Sequence, residues 1–180
     1  MTIVNTSQKY GKAAIILHWL MAVLLIGLII LGLWMTRMPL SLQKVRFFGW
    51  HKELGLLALA LVIVRLLWRV GNTTPSLLHN VAHWQLIAAR SMHWAFYVFM
   101  FALPISGWMM SSATGLPVSF FGWFVLPNLV PANDNLRLVL TDLHAWISYG
   151  LIIAICGHVG AALWHHFIHK DDILRRMLHD

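Results

Sequence analysis

The sequence predicts an all-α integral membrane protein, a four-helix bundle in which residues 1–180 form one transmembrane domain with both termini cytoplasmic. Three observations lead there. Hydrophobic residues make up 59% of the chain and charged residues 11%, against roughly 45–50% and 25% in a soluble domain. Mean hydropathy is +0.73, more apolar surface than a soluble globule this small can hide. The apolar residues also gather into four runs flanked by basic ones. Disorder is excluded by the same numbers. A net charge of +7 would suggest nucleic acid in a soluble protein. Here the basic residues border apolar runs, so lipid is the expected partner and nucleic acid is not.

The first span is expected at about 13–35. It is uncharged for 23 residues, roughly 34 Å as a helix and enough to cross a bilayer. Lys9 and Lys12 precede it in the manner of a signal peptide, but the run is too long and lacks a small-x-small cleavage site before Arg37. The second span, about 49–70, is the weakest by hydropathy. Its uncharged stretch, Leu54 to Val64, is 11 residues, so it crosses only with Lys52 and Glu53 at one interface and Arg65 and Arg69 at the other. The third span covers about 91–112, with Pro104 as a kink site, and the fourth about 143–163.

Four spans put both ends on one side of the membrane. With the N-terminus inside, eight Lys and Arg fall on that side and five on the other, which favours cytoplasmic ends. The connection Thr114 to Leu140 carries Phe120-Phe121-Gly122-Trp123-Phe124, Pro127 and Pro131. It reads as an interfacial aromatic segment, or as a lid over the outer end of a cofactor site. The tail from His165 to Asp180 is polar and is expected at the inner surface.

Ionisable residues inside spans are functional candidates, and here they are histidines. His18, His93 and His158 lie near inner ends of spans, and His51 and His144 near outer ends. His144 and His158 are 14 residues apart. That spacing is some 40° short of four full turns and about 21 Å of rise, so the two share a face of one helix. His51 can meet His144 at the outer level, and His18 can meet His158 at the inner. Two such pairs are what two stacked b-type haems require, since imidazole is an axial ligand for haem iron. Arg65 follows His51 by 14 residues and can reach propionates of the inner haem. Gly32, 14 residues after His18, and Gly55 leave room for a porphyrin edge or for close helix packing. His93 could replace His18 or His158. A zinc or di-iron site would need ligands converging on one point, and no acidic residue lies deep in a span. His79, His83 and His179 are expected to be solvated. Cys156, the single cysteine, excludes an intrachain disulfide, a four-Cys iron–sulfur site and a CxxCH haem attachment.

The chain resembles the bacterial cytochrome b561 family along nearly its whole length. The resemblance lies in Tyr10-Gly11 and Leu17-His18-Trp19-Leu20, in His51-Lys52-Glu53-Leu54-Gly55-Leu56 and in Arg65-Leu66-Leu67-Trp68-Arg69. It continues in His93 to Tyr97, in Ala102-Leu103-Pro104-Ile105-Ser106-Gly107-Trp108, and in His144 and His158. It ends in His165-His166-Phe167, Lys170-Asp171-Asp172 and Leu174-Arg175-Arg176-Met177. The resemblance implies a di-haem b cytochrome of the bacterial inner membrane, with His18 and His158 on the inner haem and His51 and His144 on the outer. His93 matches a family histidine not usually assigned as a ligand. The resemblance further implies superoxide oxidation, with electrons passing from a periplasmic donor through both haems to ubiquinone, and places His165 at the inner quinone site. A positive outer rim of Lys44, Arg46 and Lys52 could steer an anionic donor. Two other readings remain. One is a haem-b anchor subunit relaying electrons for a partner dehydrogenase. The other is a haem-free membrane protein, which lacks the intramembrane carboxylates expected of a transport site.

Overall fold

The computed structural model describes residues 2–7, 9–75 and 83–178. His79 and His179 lie outside them. Four helices dominate: α1 (Lys12–Arg37), α2 (Leu42–Gly71), α3 (His83–Ala113) and α4 (Asp134–Trp164). Each is long and apolar enough to cross a bilayer. Helix is the local solution that satisfies every backbone N–H and C=O within its own segment, as a lipid environment demands.

All four helices run past the expected apolar limits, because hydropathy marks the part in lipid while a helix continues to its cap. α2 begins at the Ser41 cap, whose hydroxyl accepts from the Lys44 N–H at 3.2 Å. α4 begins at the Asn133 cap, which accepts from the Leu136 N–H at 2.9 Å. Both are preferred N-cap residues. The connection expected over 114–140 is therefore shorter, since its last seven residues are already helix. α2 is also not the weakest span: its most apolar stretch averages 2.0 in hydropathy, against 1.4 in α3 and 1.7 in α4. Polar and aromatic residues dilute α3. Pro104 lies inside α3, which runs on to Ala113.

The shortened connection folds into a hairpin, β1 (Val118–Phe120) paired antiparallel with β2 (Phe124–Leu126). Three residues, Phe121 to Trp123, join the strands; the Trp123 N–H bonds the Phe120 carbonyl at 3.0 Å, with Phe121 at φ +50° and Gly122 at +73°. Buried Ser112 ties the segment down, accepting from the Leu129 N–H at 3.1 Å, and Trp108 Nε1 donates to the Pro127 carbonyl at 3.1 Å. β1 packs against both α2 and α3.

At the opposite end the chain termini come together. Asn5 Nδ2 donates to the Thr73 carbonyl after α2, at 3.0 Å, and Trp19 Nε1 on α1 donates to the Met177 carbonyl of the tail, at 2.7 Å. Gly11 is required there, because a Cβ would lie 2.3 Å from the Ile3 carbonyl oxygen. The two ends of the bundle are thus a terminal end and a hairpin end.

One buried cluster joins Met21, Val62, Tyr97 and Met100 of α1, α2 and α3, and α4 adds buried Leu140, Leu151 and Ala154. α4 packs closely on α3, where a Cβ on Gly150 would come within 3.0 Å of the Phe99 ring. Close backbone packing joins α1 to α2, α2 to α3 and α3 to α4. The seam between α1 and α4 is bridged by side chains instead, histidines among them. The outward faces carry exposed Val23, Ile30, Leu67 and Ile153, as expected where the surrounding solvent is lipid.

Candidate haem-binding sites

At the hairpin end, His51 on α2 faces His144 on α4 with ring centroids 6.4 Å apart. Small residues make room for both rings. A Cβ on Gly32 would lie 3.2 Å from the His51 ring, and one on Gly107 would lie 3.3 Å from the His144 ring. Gly32 thus stands at the level its spacing indicated, but what it admits is the His51 imidazole. A Cβ on Gly55 would meet nothing within 4 Å. His144 Nδ1 lies 2.9 Å from Ser106 Oγ, whereas His51 Nδ1 is buried with no hydrogen-bond partner among the described residues.

At the terminal end, His18 on α1 and His158 on α4 have centroids 6.2 Å apart. His93 on α3 stands at the same 6.2 Å from His158. His158 therefore has a histidine on each of two sides, and centroid separation alone does not choose between them. Arg65 reaches this level as its spacing indicated, with a guanidinium nitrogen 3.1 Å from His18 Nδ1. A guanidinium only donates, so His18 Nδ1 accepts here.

The donor set fits a b-type haem. An imidazole nitrogen sits about 2 Å from a transition metal, so two rings on opposite sides of one ion have centroids about 6 Å apart. Both pairs meet that spacing. Among the described residues no group of three His, Cys, Asp or Glu converges to hold a bare metal ion. The two pairs are joined by α4 across 14 residues, about 21 Å of helix rise.

Around the terminal end lies a cationic belt. Arg69 sits over Tyr97, 5.6 Å from its ring centroid, within cation–π range. Burial pushes the Tyr10 phenol up, against the opposing charge of Arg69, Arg176 and Arg65. Trp68 Nε1 is buried with no partner among the described residues. His165 follows α4 directly and pairs with Asp171 at 2.5 Å. At the other end Lys44 is drawn back onto the Met38 carbonyl at 2.7 Å, while Arg46 is exposed. His83 is exposed at the start of α3, and Cys156 is exposed on α4.

Ser106 and Gly107 acquire positions beside His144 that periodicity could not assign. Ser106 and Gly107 lie in the Pro104-Ile105-Ser106-Gly107-Trp108 motif, which was the only signal for them.

A transmembrane four-helix bundle with facing histidines at both ends defines a class: membrane haem b proteins that transfer electrons. The chain belongs to the prokaryotic cytochrome b561 family, whose description matches residues 9–180. It is 36% identical over 185 residues to cytochrome b561 homolog 2 of Escherichia coli (strain K12), covering 99% of this chain and 95% of the relative. Homolog 1 of the same organism is 30% identical over 176 residues, covering 95% and 97%. A Yersinia pestis protein named "Probable superoxide oxidase CybB" is 27% identical over 175 residues, covering 95% and 96%.

Proposed function

We propose that the chain holds two b-type haems and passes single electrons across a bacterial inner membrane, from periplasmic superoxide to ubiquinone. One observation carries the reading: histidine pairs with centroids 6.2 and 6.4 Å apart, at opposite ends of one bundle. His18 and His158 hold the haem at the terminal end, and His51 and His144 the haem at the hairpin end. Held by these histidines, haem would supply reversible one-electron transfer.

The chain's own residues do the rest. Ser106 orients His144, and Gly32 and Gly107 give the rings space. Arg65 leaves His18 Nδ1 for a negative group such as a propionate, which frees His18 to carry its proton at Nδ1 and bind through Nε2. The excess of basic residues at the terminal end supports a cytoplasmic position for it. The exposed hairpin then lies at the periplasmic face, where Arg46 and Lys52 attract an anion. Superoxide as donor is suggested by the name of the Yersinia pestis relative. Two superoxide ions each lose one electron and become oxygen; ubiquinone gains both electrons and two protons and becomes ubiquinol.

The test is a haem count on detergent-purified protein, followed by anaerobic spectra with superoxide and then ubiquinone-1. Two low-spin b haems per chain, reduced by superoxide and reoxidised by the quinone, are expected. A colourless folded protein after haem supplementation would overturn the reading. Haem reduction only in the presence of a co-purifying dehydrogenase would select the anchor-subunit alternative.

A further inference from the structure

We propose that Asp171 is a positioning residue that holds the His165 imidazole as the proton carrier for quinone reduction at the terminal end. This rests on the reading of ubiquinone as acceptor. The observation behind it is the way α4 ends. The helix widens into a π-helical turn, His165–His169. Lys170 then takes φ +55°, and its N–H closes onto the His165 carbonyl. The Asp171 N–H reaches the same carbonyl at 3.3 Å. The extra residue in the turn and the left-handed Lys170 bring Asp171 back under His165, where Oδ2 lies 2.5 Å from Nδ1. The second carboxylate oxygen accepts from the Ile173 N–H at 3.1 Å, which keeps the group from rotating away. The two side chains are 14% and 20% exposed.

Helix termination does not require this pair. The two backbone N–H groups already satisfy the His165 carbonyl, so the carboxylate is left to act on the imidazole. π-Turns inside or beside helices often mark functional sites, and a left-handed lysine is a conformation that side chains disfavour.

A carboxylate on Nδ1 sets the tautomer and stabilises the ring when it is charged, while Nε2 remains to exchange protons. Ubiquinone must take up two protons with its two electrons, and oxidation of superoxide releases none. The protons therefore come from water at the terminal end. His165 takes each one from that water, Asp171 balances the charge, and Nε2 gives the proton to a quinone oxygen. The other rings facing His165 are Trp164 and His169, each with its centroid 5.3 Å away.

The test compares haem-loaded full-length wild type with Asp171→Asn, Asp171→Glu and His165→Ala in detergent. Two readouts are used. Nitrogen-15 NMR of labelled histidine, assigned by difference from His165→Ala, is expected to show His165 protonated at Nδ1 in wild type and to lose that preference in Asp171→Asn. Anaerobically pre-reduced protein is then mixed with ubiquinone-1. Asp171→Asn is expected to lower kcat about 100-fold, the low end of what a positioned proton carrier contributes. Its KM should be unchanged, its solvent deuterium effect larger, and its reoxidation by ferricyanide, which needs no proton, normal. Asp171→Glu should recover much of the rate. Wild-type tautomer and rate in Asp171→Asn would overturn this proposal alone. Altered haem spectra or slowed ferricyanide reoxidation in both Asp171 variants would overturn it in favour of a structural role. Failure of wild type itself to reduce ubiquinone-1 would overturn the acceptor reading and this proposal with it.

Discussion

Ser106 on α3 holds His144 on α4 by its Nδ1, with 2.9 Å between the hydroxyl oxygen and the ring nitrogen. The Ser106 hydroxyl has one proton and donates it to the Leu103 carbonyl at 2.9 Å. With that proton on Leu103, the 2.9 Å contact with His144 Nδ1 is one in which the imidazole N–H donates to the Ser106 oxygen. Nδ1 carries the proton and Nε2 keeps its lone pair, as an iron ligand requires. Ser106→Ala is expected to weaken haem binding at the hairpin end about 10-fold, the lower range for loss of a group that orients a ligand. Haem titration of the apoprotein measures it, and Ser106→Thr should bind as wild type does.

Glycine at position 32 admits the His51 ring, and glycine at position 55 has open space around it. Gly32→Leu should displace His51 and lose the hairpin-end haem while the terminal-end haem stays. Gly55→Ala should keep both. Pyridine haemochrome analysis separates the outcomes as one haem per chain against two. Two haems in Gly32→Leu would contradict the role given to the glycine.

His158 has two histidine neighbours at equal centroid distance, so substitution decides its partner. His158→Ala is expected to remove the terminal-end haem, and His51→Ala or His144→Ala the other. His18→Ala should match His158→Ala, whereas His93→Ala should keep two low-spin haems. If His93→Ala loses the terminal-end haem and His18→Ala does not, the ligand is His93.

Arg65 is a cation held inside a span at the level of His18. A positive charge beside a haem favours its reduced form, which carries one fewer positive charge. Arg65→Gln should lower the midpoint potential of the terminal-end haem by about 60 mV, one tenfold step for a one-electron couple, and leave the other haem unchanged. Spectroelectrochemistry resolves the two. Equal shifts in both would place Arg65 away from the terminal-end site.

The Lys170–Asp171 turn shows where a reading of the sequence stops. His165 stood out only through the family resemblance, and Asp171 only as part of the Lys170-Asp171-Asp172 motif in a polar tail. The pair forms through a single π-turn and a left-handed lysine, neither of which leaves a periodic signal. The hairpin at Val118–Leu126 is similar. Its aromatic run was visible, yet the turn rests on Phe121 at positive φ, a conformation that aromatic residues rarely take. By contrast, the N-caps Ser41 and Asn133 were legible in principle, since both residue types commonly start helices.

Depth is one-dimensional and follows from helix rise, so composition and spacing alone set four spans, two levels of histidines and Arg65 at the level of His18. Azimuth and neighbour identity depend on how helices pack against one another, and no periodicity within one helix contains that information. Packing brought His93 as close to His158 as His18 is, put Ser106 on His144, turned Gly32 toward His51 and folded Asp171 under His165. Each of these contacts joins residues whose relation is fixed by the tilt and separation of elements, which local sequence does not encode.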